Sequence, residues 1–488
     1  MEITMERFAK IVSTLGPASS DETTLRKMIE AGLDVARLNF SHGTQNQHEE
    51  NIALIRRLSK ECNKPITILA DLQGPKLRIG KLENNEITLT EGQIIALSSS
   101  KNPSAIPEDV TFIPFDVPML HEAVIPGNRI LMDDGNLEIE VTQLDGVNIY
   151  AKVIVGGLLR SHKGVNLPGS RLAIPILTEK DLSDLEFSLN LGIDVLAVSF
   201  VKSADDLILV NDTLKRLCKN RRIPPVIAKL ERPEAIDNLS EIFEHCDGVM
   251  VARGDLGVEL PPWQVPAIQK HIIREANLRG KIVITATQML ESMMTNSLPT
   301  RAEAADCANA IYDGTDALML SGETAIGKYP VQSVRMMNAI IIEAEKHLAK
   351  WGEADSISVS QIDDDAVTTS IAAKSMAEDK DVTAICVFTF SGNSARWVSK
   401  TKPSVPIYAF TSHMSTYTWL GICRGVIPFL VKRSDSLEEM LDLIETELIA
   451  IDPDIVDKQV IMVGSFPVGA HASPNLALLH TIKNTEKH

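Results

Sequence analysis

Eight short apolar runs of strand type, each followed by a helix-like segment, constrain the fold of this chain more than anything else in it. They are Ile11–Leu15, Val35–Phe40, Ile66–Leu72, Val195–Phe200, Val226–Leu230, Val249–Ala252, Ile282–Thr287 and Ala317–Leu320. Strands alternating with helices make a parallel sheet, and eight such units predict an α/β fold of the (β/α)8 TIM-barrel type. The intervening helices carry their own signals. Asp21 is placed to cap a helix with Leu25, Met28 and Ile29 on one face, closed by Gly32. After Pro261-Pro262, the residues Val265, Ile268, Ile272 and Ala276 keep helical spacing up to Gly280.

The rhythm is interrupted once and then ends. A long interval separates the third run from the fourth. Inside it the apolar period becomes two: Leu137, Ile139 and Val141, then Asp145-Gly146, then Val147, Ile149, Val153 and Val155. That pattern reads as an antiparallel hairpin with an Asp-Gly turn. Gly74-Pro75 and Pro168-Gly169 flank the interval as hinges. Residues 73–171 are therefore expected to form an inserted, β-barrel-like lid domain that closes over the barrel mouth. Residues 1–72 and 172–350 are left as the catalytic barrel. Residues 352–361 read as a linker. Beyond them the short strands Ala384–Phe388, Ile407–Phe410, Phe429–Val431 and Val460–Val463 alternate with helices, one with Leu437, Met440, Leu441, Ile444 and Leu448 on one face. Residues 351–488 are expected to be a third, C-terminal α/β domain.

Composition excludes some roles. The net charge of −17, from 48 basic and 65 acidic residues, argues against a general nucleic-acid or anionic-membrane surface, though a small basic pocket can still bind phosphates. The six cysteines are scattered without a Cys-x-x-Cys pair, which suits reduced thiols in a cytoplasmic protein. Met1–Arg7 lacks the apolar region of a signal peptide, and no apolar run reaches the roughly 20 residues that span a bilayer.

The ends of the barrel runs carry the chemistry. The second ends on Arg37, Asn39 and Ser41-His42, and the third on Asp71 with Lys76 and Arg78 close behind. The fifth ends on Lys229 and Glu231, the sixth on Arg253-Gly254-Asp255, the seventh on Thr287-Gln288, and the eighth on Ser321 and Glu323. A barrel gathers all of these on one face. Such a mixture of cations, carboxylates and hydroxyls suits a metal ion with an anionic, phosphate-bearing substrate. Glu231 and Asp255 are the natural ligands for Mg2+, which takes one or two protein carboxylates and fills its octahedron with water and substrate oxygens. The plainer alternative is a pair of buried salt bridges to Lys229 and Arg253. Arg253-Gly254-Asp255 also suits a substrate carboxylate, because the glycine permits close approach and successive N–H groups form an anion nest.

Several ordered motifs resemble those of the pyruvate kinase family. They are Lys10–Pro17, Ala36–Gly43, Asp71–Arg78, Gly164–Gly169, Met250–Glu259, Ala286–Met293 and Asp313–Thr324. The resemblance covers essentially the whole chain and implies transfer of the phosphoryl group of phosphoenolpyruvate to ADP, giving ATP and pyruvate, the last step of glycolysis. It implies that Lys229 stabilises the transferring phosphoryl and the developing enolate. Arg37 would contact the phosphate, with help from Arg78. Glu231 and Asp255 would hold Mg2+ or Mn2+. Gly254, Asp255 and Thr287 would surround the substrate carboxylate, with Arg253 beside them. Thr287 and Ser321, with Glu323 behind, would relay a proton. The nucleotide would lie between barrel and lid near Asn39, His42, Arg78 and Lys163. A homotetramer is implied as well.

The family pattern is not followed everywhere. Members that need K+ bind it with residues matching Asn39, Ser41, Asp71 and the carbonyl of Leu72, and typically carry a glutamate where this chain has Lys76. The ammonium of Lys76 is expected to supply the charge that K+ would bring, so that K+ is not required. His162-Lys163 stands where relatives often carry two lysines. In the last domain, Thr389, Ser391, Gly392, Asn393 and Ser394 between a strand and a helix suit a phosphate. Relatives use this loop for a sugar-phosphate effector, with Gly464–Gly469 completing the pocket. Two other readings compete: a Mg2+-dependent lyase that cleaves a carbon–carbon bond through pyruvate enolate, and an inactive metabolite-sensing scaffold.

Overall fold

The structure, a computed structural model, describes residues 7–99, 106–115, 119–169, 174–219, 221–352, 364–379, 381–468 and 473–483. The linker expected at 352–361 falls almost wholly outside them, as do Gly469 and the first six residues. Eight parallel strands close into a barrel: β1 (Lys10–Thr14), β2 (Val35–Asn39), β3 (Thr67–Asp71), β4 (Val195–Val198), β5 (Val226–Leu230), β6 (Gly248–Ala252), β7 (Ile282–Ala286) and β8 (Ala317–Leu320). Each pairs with the next, and β8 returns to β1 with Leu318 opposite Ile11. Successive strand residues face opposite ways. Ile11, Ala36, Ile68, Leu196, Val249 and Leu318 therefore join the core shared with the ring helices, while Val12, Val35, Leu69, Val195, Met250 and Ala317 fill the interior. This is why the runs are mostly apolar, with polar residues gathered toward their C-terminal ends.

The expected helices form where their caps place them. Asp21 accepts a hydrogen bond from the Thr24 N–H at 2.9 Å, and the helix Glu22–Ala31 buries Leu25, Met28 and Ile29 before Gly32. Val265–Leu278 buries Val265, Ile272 and Ala276.

The insertion after β3 has its own core, with Leu97, Ile113, Ile130, Ile139 and Val153 fully buried. A six-stranded sheet includes the expected hairpin, Leu137–Asp145 against Asn148–Val155, which turns at Gly146-Val147. Chain entry and exit are clasped together by an antiparallel bridge between Arg78 and Gly164.

The C-terminal sheet runs β11 (Val426–Leu430), β10 (Ile407–Thr411), β9 (Val382–Phe388), β12 (Gln459–Gly464), β13 (Leu476–Thr481), with only β13 antiparallel. This domain plugs the barrel end opposite the mouth. Lys10 Nζ donates to the Val426 carbonyl at 2.9 Å, Thr67 Oγ1 to the Thr418 carbonyl at 2.6 Å, and Lys400 is ion-paired with Asp316. Interior barrel residues and one face of the C-terminal sheet belong to a single apolar cluster, while the other face packs separately with Met440, Ile444 and Leu448.

Candidate active site

The mouth is the C-terminal end of the strands, and its centre is a buried chain of alternating charges. Strand register sets Thr14 opposite Arg37, and Asn39 opposite Asp71. Arg37 donates from Nε to Asp71 Oδ2 at 2.7 Å and from Nη1 to Thr14 Oγ1 at 2.7 Å. On its other side, Asp71 Oδ1 lies 3.2 Å from Lys229 Nζ, which also pairs with Glu231 Oε1 at 3.0 Å and donates to Ser199 Oγ at 2.7 Å. The second oxygen of Glu231 accepts the N–H of Phe200 at 2.7 Å. All four charged residues are buried, Asp71 with no exposed surface at all.

Burial alone would lower the pKa of Lys229. The carboxylates of Asp71 and Glu231 outweigh it and hold the ammonium above the ordinary lysine range. Burial pushes Asp71 the other way, but Lys229 and Arg37 keep it below the usual carboxylate range. Glu231 ends above its ordinary value because burial and the nearby charge of Asp255 together exceed the pull of Lys229. Three carboxylates thus face two cations, and two of those carboxylates, Glu231 and Asp255, repel each other. A divalent cation relieves that repulsion. Among the described residues there is no group of three or more His, Cys, Asp or Glu side chains able to hold a metal. The neighbouring carboxylates of Glu231 and Asp255 fit an ion such as Mg2+, which makes do with one or two carboxylates.

Asp255 lies in the short helix Arg253–Glu259 and lines a cavity of about 670 Å³ together with Lys76, Gly254 and Gln288. Thr287 accepts the Gly254 N–H at 2.7 Å and donates to the Ala286 carbonyl at 2.6 Å. Its φ of 69° and that of Gln288, 55°, are both left-handed. For a β-branched residue this is rare, and each such residue carries about 1–3 kcal/mol of strain.

Arg253, expected beside the substrate, lines this cavity, and its hydrogen bonds run into the protein. Nη1 donates to Asp306 Oδ2 at 2.6 Å and Nη2 to the Thr287 carbonyl at 2.8 Å, while Nε is buried. The guanidinium is committed within the protein because the left-handed turn presents its carbonyls to it.

Ser321 Oγ is buried without a partner among the described residues. It lines a cavity of about 770 Å³ that also includes Thr14, Pro17, Arg37, Asn39 and His42. Glu323 does not support that hydroxyl. It accepts the N–H groups of Ser321 at 2.7 Å and Leu290 at 3.0 Å, and burial raises its pKa. His42 is held below the ordinary histidine value by partial burial and by Lys76, Arg78 and Arg37, so the same cleft brings those cations near it. Arg78 donates to the His162 carbonyl at 2.9 Å, and Lys163 is paired with Asp133 within the lid at 2.6 Å. Asn39 Oδ1 accepts the Ser41 N–H at 3.1 Å, and the Leu72 carbonyl accepts Ser199 Oγ at 2.7 Å. Lys76 is exposed and makes no ion pair among the described residues.

Thr14 and Ser199 were not expected in the site. Both end barrel runs, the first and the fourth, so the strand-end rule that selected the other residues applies to them equally. In the C-terminal domain, Thr389, Ser391 and Ser394 line a cavity of about 380 Å³ with Lys432, Arg433 and Ser465. Gly392 and Asn393 shape the loop beside it; Gly392 donates to Thr389 Oγ1 at 2.9 Å. The cations there were missed, although two consecutive basic residues directly after an apolar run are a readable sign.

Comparisons with known proteins agree with one another. The family model described as pyruvate kinase, barrel domain, matches residues 6–334, and that described as pyruvate kinase, alpha/beta domain, matches residues 367–480. A pyruvate kinase of Mycobacterium tuberculosis is 40% identical over 478 residues, covering 98% of this chain and 99% of that protein. One of Agrobacterium vitis is 42% identical over 479 residues, covering 97% and 98%. A crystal structure of a pyruvate kinase from Cryptosporidium parvum superposes with a TM-score of 0.89 at 30% identity, covering 98% of this chain and 97% of that one.

Proposed function

The chain belongs to the pyruvate kinase family, and from that premise we propose how its own residues divide the transfer of a phosphoryl group from phosphoenolpyruvate to ADP. Such transfer needs positioning and neutralisation of charge more than covalent help. The buried alternation Arg37–Asp71–Lys229–Glu231 carries the reading. Asp71 fixes both cations and helps keep Lys229 charged without closing the mouth. Arg37 grips the phosphate. Lys229 neutralises the moving phosphoryl and then the enolate oxygen. Gly254, Asp255 and Thr287 surround the carboxylate, Arg253 stays outside the substrate set, and Thr287 and Ser321 deliver the proton to enolpyruvate. Asn39, His42, Arg78 and Lys163 border the nucleotide in the cleft under the lid, whose closure excludes water and suppresses hydrolysis. Pyruvate kinases generally need a divalent cation. Glu231 and Asp255 would hold Mg2+ or Mn2+, which when bound adds positive charge beside the substrate's oxygens.

A coupled assay of pyruvate formation tests the assignment. Product should require phosphoenolpyruvate, ADP and the divalent cation together. Pyruvate released from a carbon–carbon substrate without ADP would favour the lyase, and binding without turnover the inactive sensor.

Activity without K+ is proposed on the strength of Lys76, which lies on the cleft beside Asp255 and close enough to His42 to lower its pKa. Turnover in K+-free buffer should be near that in K+, and Lys76→Glu should acquire a K+ requirement; collapse of the unmodified enzyme without K+ sinks the idea. The serines and cations around the 380 Å³ cavity favour a sugar phosphate as activator. Titrating several of them at subsaturating phosphoenolpyruvate should lower the half-saturation with at least one.

Pyruvate kinases are generally tetramers, and we infer a homotetramer here, to be measured by light scattering. We place the protein in the cytoplasm, where glycolysis runs; no helix among the described residues is long and apolar enough to cross a membrane. The division into barrel (1–72, 172–350), lid (73–171) and C-terminal domain (351–488) is favoured by the left-handed glycines at the hinges, Gly74 at φ 68° and Gly169 at φ 70°.

A further inference from the structure

We propose that Arg253 is a positioning residue for the proton-transfer step: its guanidinium holds the Thr287–Gln288 corner in the left-handed backbone that brings Thr287 Oγ1 to the N–H of Gly254, which lines the cleft. The inference rests on the assignment of Thr287 to the relay. Two consecutive left-handed residues, one of them β-branched, do not persist on local preference, and the sequence has no glycine there to relieve them. Something outside the turn must hold it. Arg253 Nη2 donates to both carbonyls of the corner, that of Thr287 at 2.8 Å and that of Gln288 at 3.3 Å. The other arm of the fork is itself anchored. Nη1 donates to Asp306 Oδ2 at 2.6 Å and to Gln269 Oε1 at 3.4 Å. Those two residues belong to the ring helices Arg301–Asp313 and Val265–Leu278, so the clamp is fastened to the scaffold and not to the mouth.

A planar fork can satisfy two carbonyls, a carboxylate and an amide oxygen at once, which an ammonium cannot. Arg253 lines the cleft cavity, but only 10% of its side chain is exposed and both terminal nitrogens of its fork donate within the protein. Release of the carbonyls lets Thr287 relax to negative φ and carries its hydroxyl away from the Gly254 N–H, directly before Asp255. The residue therefore acts on the reaction through Thr287.

The test compares Arg253→Met, Asp306→Asn, Thr287→Ala and the double variant Arg253→Met/Thr287→Ala. Two readouts are followed: coupled turnover, giving kcat and the KM for phosphoenolpyruvate, and exchange of the pyruvate methyl protons with D2O by NMR, in the presence of Mg2+ and ATP. The clamp predicts that Arg253→Met slows both kcat and exchange roughly 10- to 100-fold while KM stays within about threefold. Asp306→Asn should show a smaller loss of the same kind. The double variant should be no slower than Thr287→Ala alone, since one residue acts through the other. A raised KM at unchanged kcat, or losses that multiply in the double variant, overturns the inference, because Arg253 then meets substrate itself. Wild-type exchange in Arg253→Met beside impaired Thr287→Ala overturns the clamp but not the relay. Wild-type exchange and turnover in Thr287→Ala overturns the relay and the clamp with it. Should Arg253→Met fail to fold, Arg253→Lys and Asp306→Asn carry the same comparisons.

Discussion

Asp71 is the residue on which the site's electrostatics turn, because it holds Arg37 and Lys229 at once and is wholly buried. Removing one partner leaves charge without compensation. Lys229→Met should therefore lower kcat in the coupled assay by roughly 10²–10³-fold or more. It should also cost about 3 kcal/mol of stability in chemical denaturation, since Glu231 would be left buried without its cation and Asp71 with Arg37 alone. Lys10, at the far end of the barrel, gives a pH signature. Burial lowers its pKa from 10.5 to about 8 despite the pull of Asp34. Between those values the unfolded chain holds a proton that the folded chain has lost, so stability rises with pH across that window. Relative to Lys10→Met, the native protein should gain on the order of 3 kcal/mol between pH 7 and pH 10.5; a constant gap between the two denaturation curves would refute this. Single residues were legible where a strand end exposed them, as with Arg37, Lys229, Glu231 and Asp255. The clamp on Thr287 was not, because Asp306 and Gln269 sit in mid-helix and meet Arg253 only after the ring has closed.

Elements were easier to read than contacts. All eight barrel strands lie where largely apolar runs predict them, within a residue or two, because burial on both faces favours apolar residues along most of each strand. In the C-terminal sheet the strand that went unforeseen, Leu476–Thr481, is half-buried at every position and pairs antiparallel at the sheet edge. It lacks both the continuous run and the clean alternation that would announce it. Helix ends carry the closest inter-domain packing. Gly280 follows the helix Val265–Leu278 with φ 66°, and a Cβ there would lie 2.0 Å from the ring of Trp397, in the helix Asn393–Lys400 that starts beside the phosphate-type loop. Gly280→Ala should lose about 2–3 kcal/mol through strain and overpacking. Gly92→Ala, at φ 82° with nothing within 4 Å, should lose only about 1 kcal/mol. Equal shifts in thermal midpoint for the two variants would show that Trp397 yields freely.

At the scale of the whole molecule, barrel and C-terminal domain are joined by a buried charge pair as well as by shared apolar core. Lys400 and Asp316 are 1% and 2% exposed, and Asn277 accepts a second bond from the same ammonium at 3.0 Å. Lys400→Met should destabilise by about 3–5 kcal/mol, whereas Lys400→Met with Asp316→Asn should recover much of that loss; an equally unstable double variant in urea titration would contradict it. The lid stands in a different relation to the barrel. Its two ends are held side by side by the Arg78–Gly164 bridge, and the Ile79 N–H donates to the Lys163 carbonyl at 3.0 Å. It is thus a graft on a clasped stem, not a long flap. The eightfold ring does not need it to close, so a shortened chain that turned back at the stem would keep its charges and its fold. Such a molecule would be open to water from above, and its characteristic fault would be loss of the phosphoryl group to solvent instead of to a nucleotide.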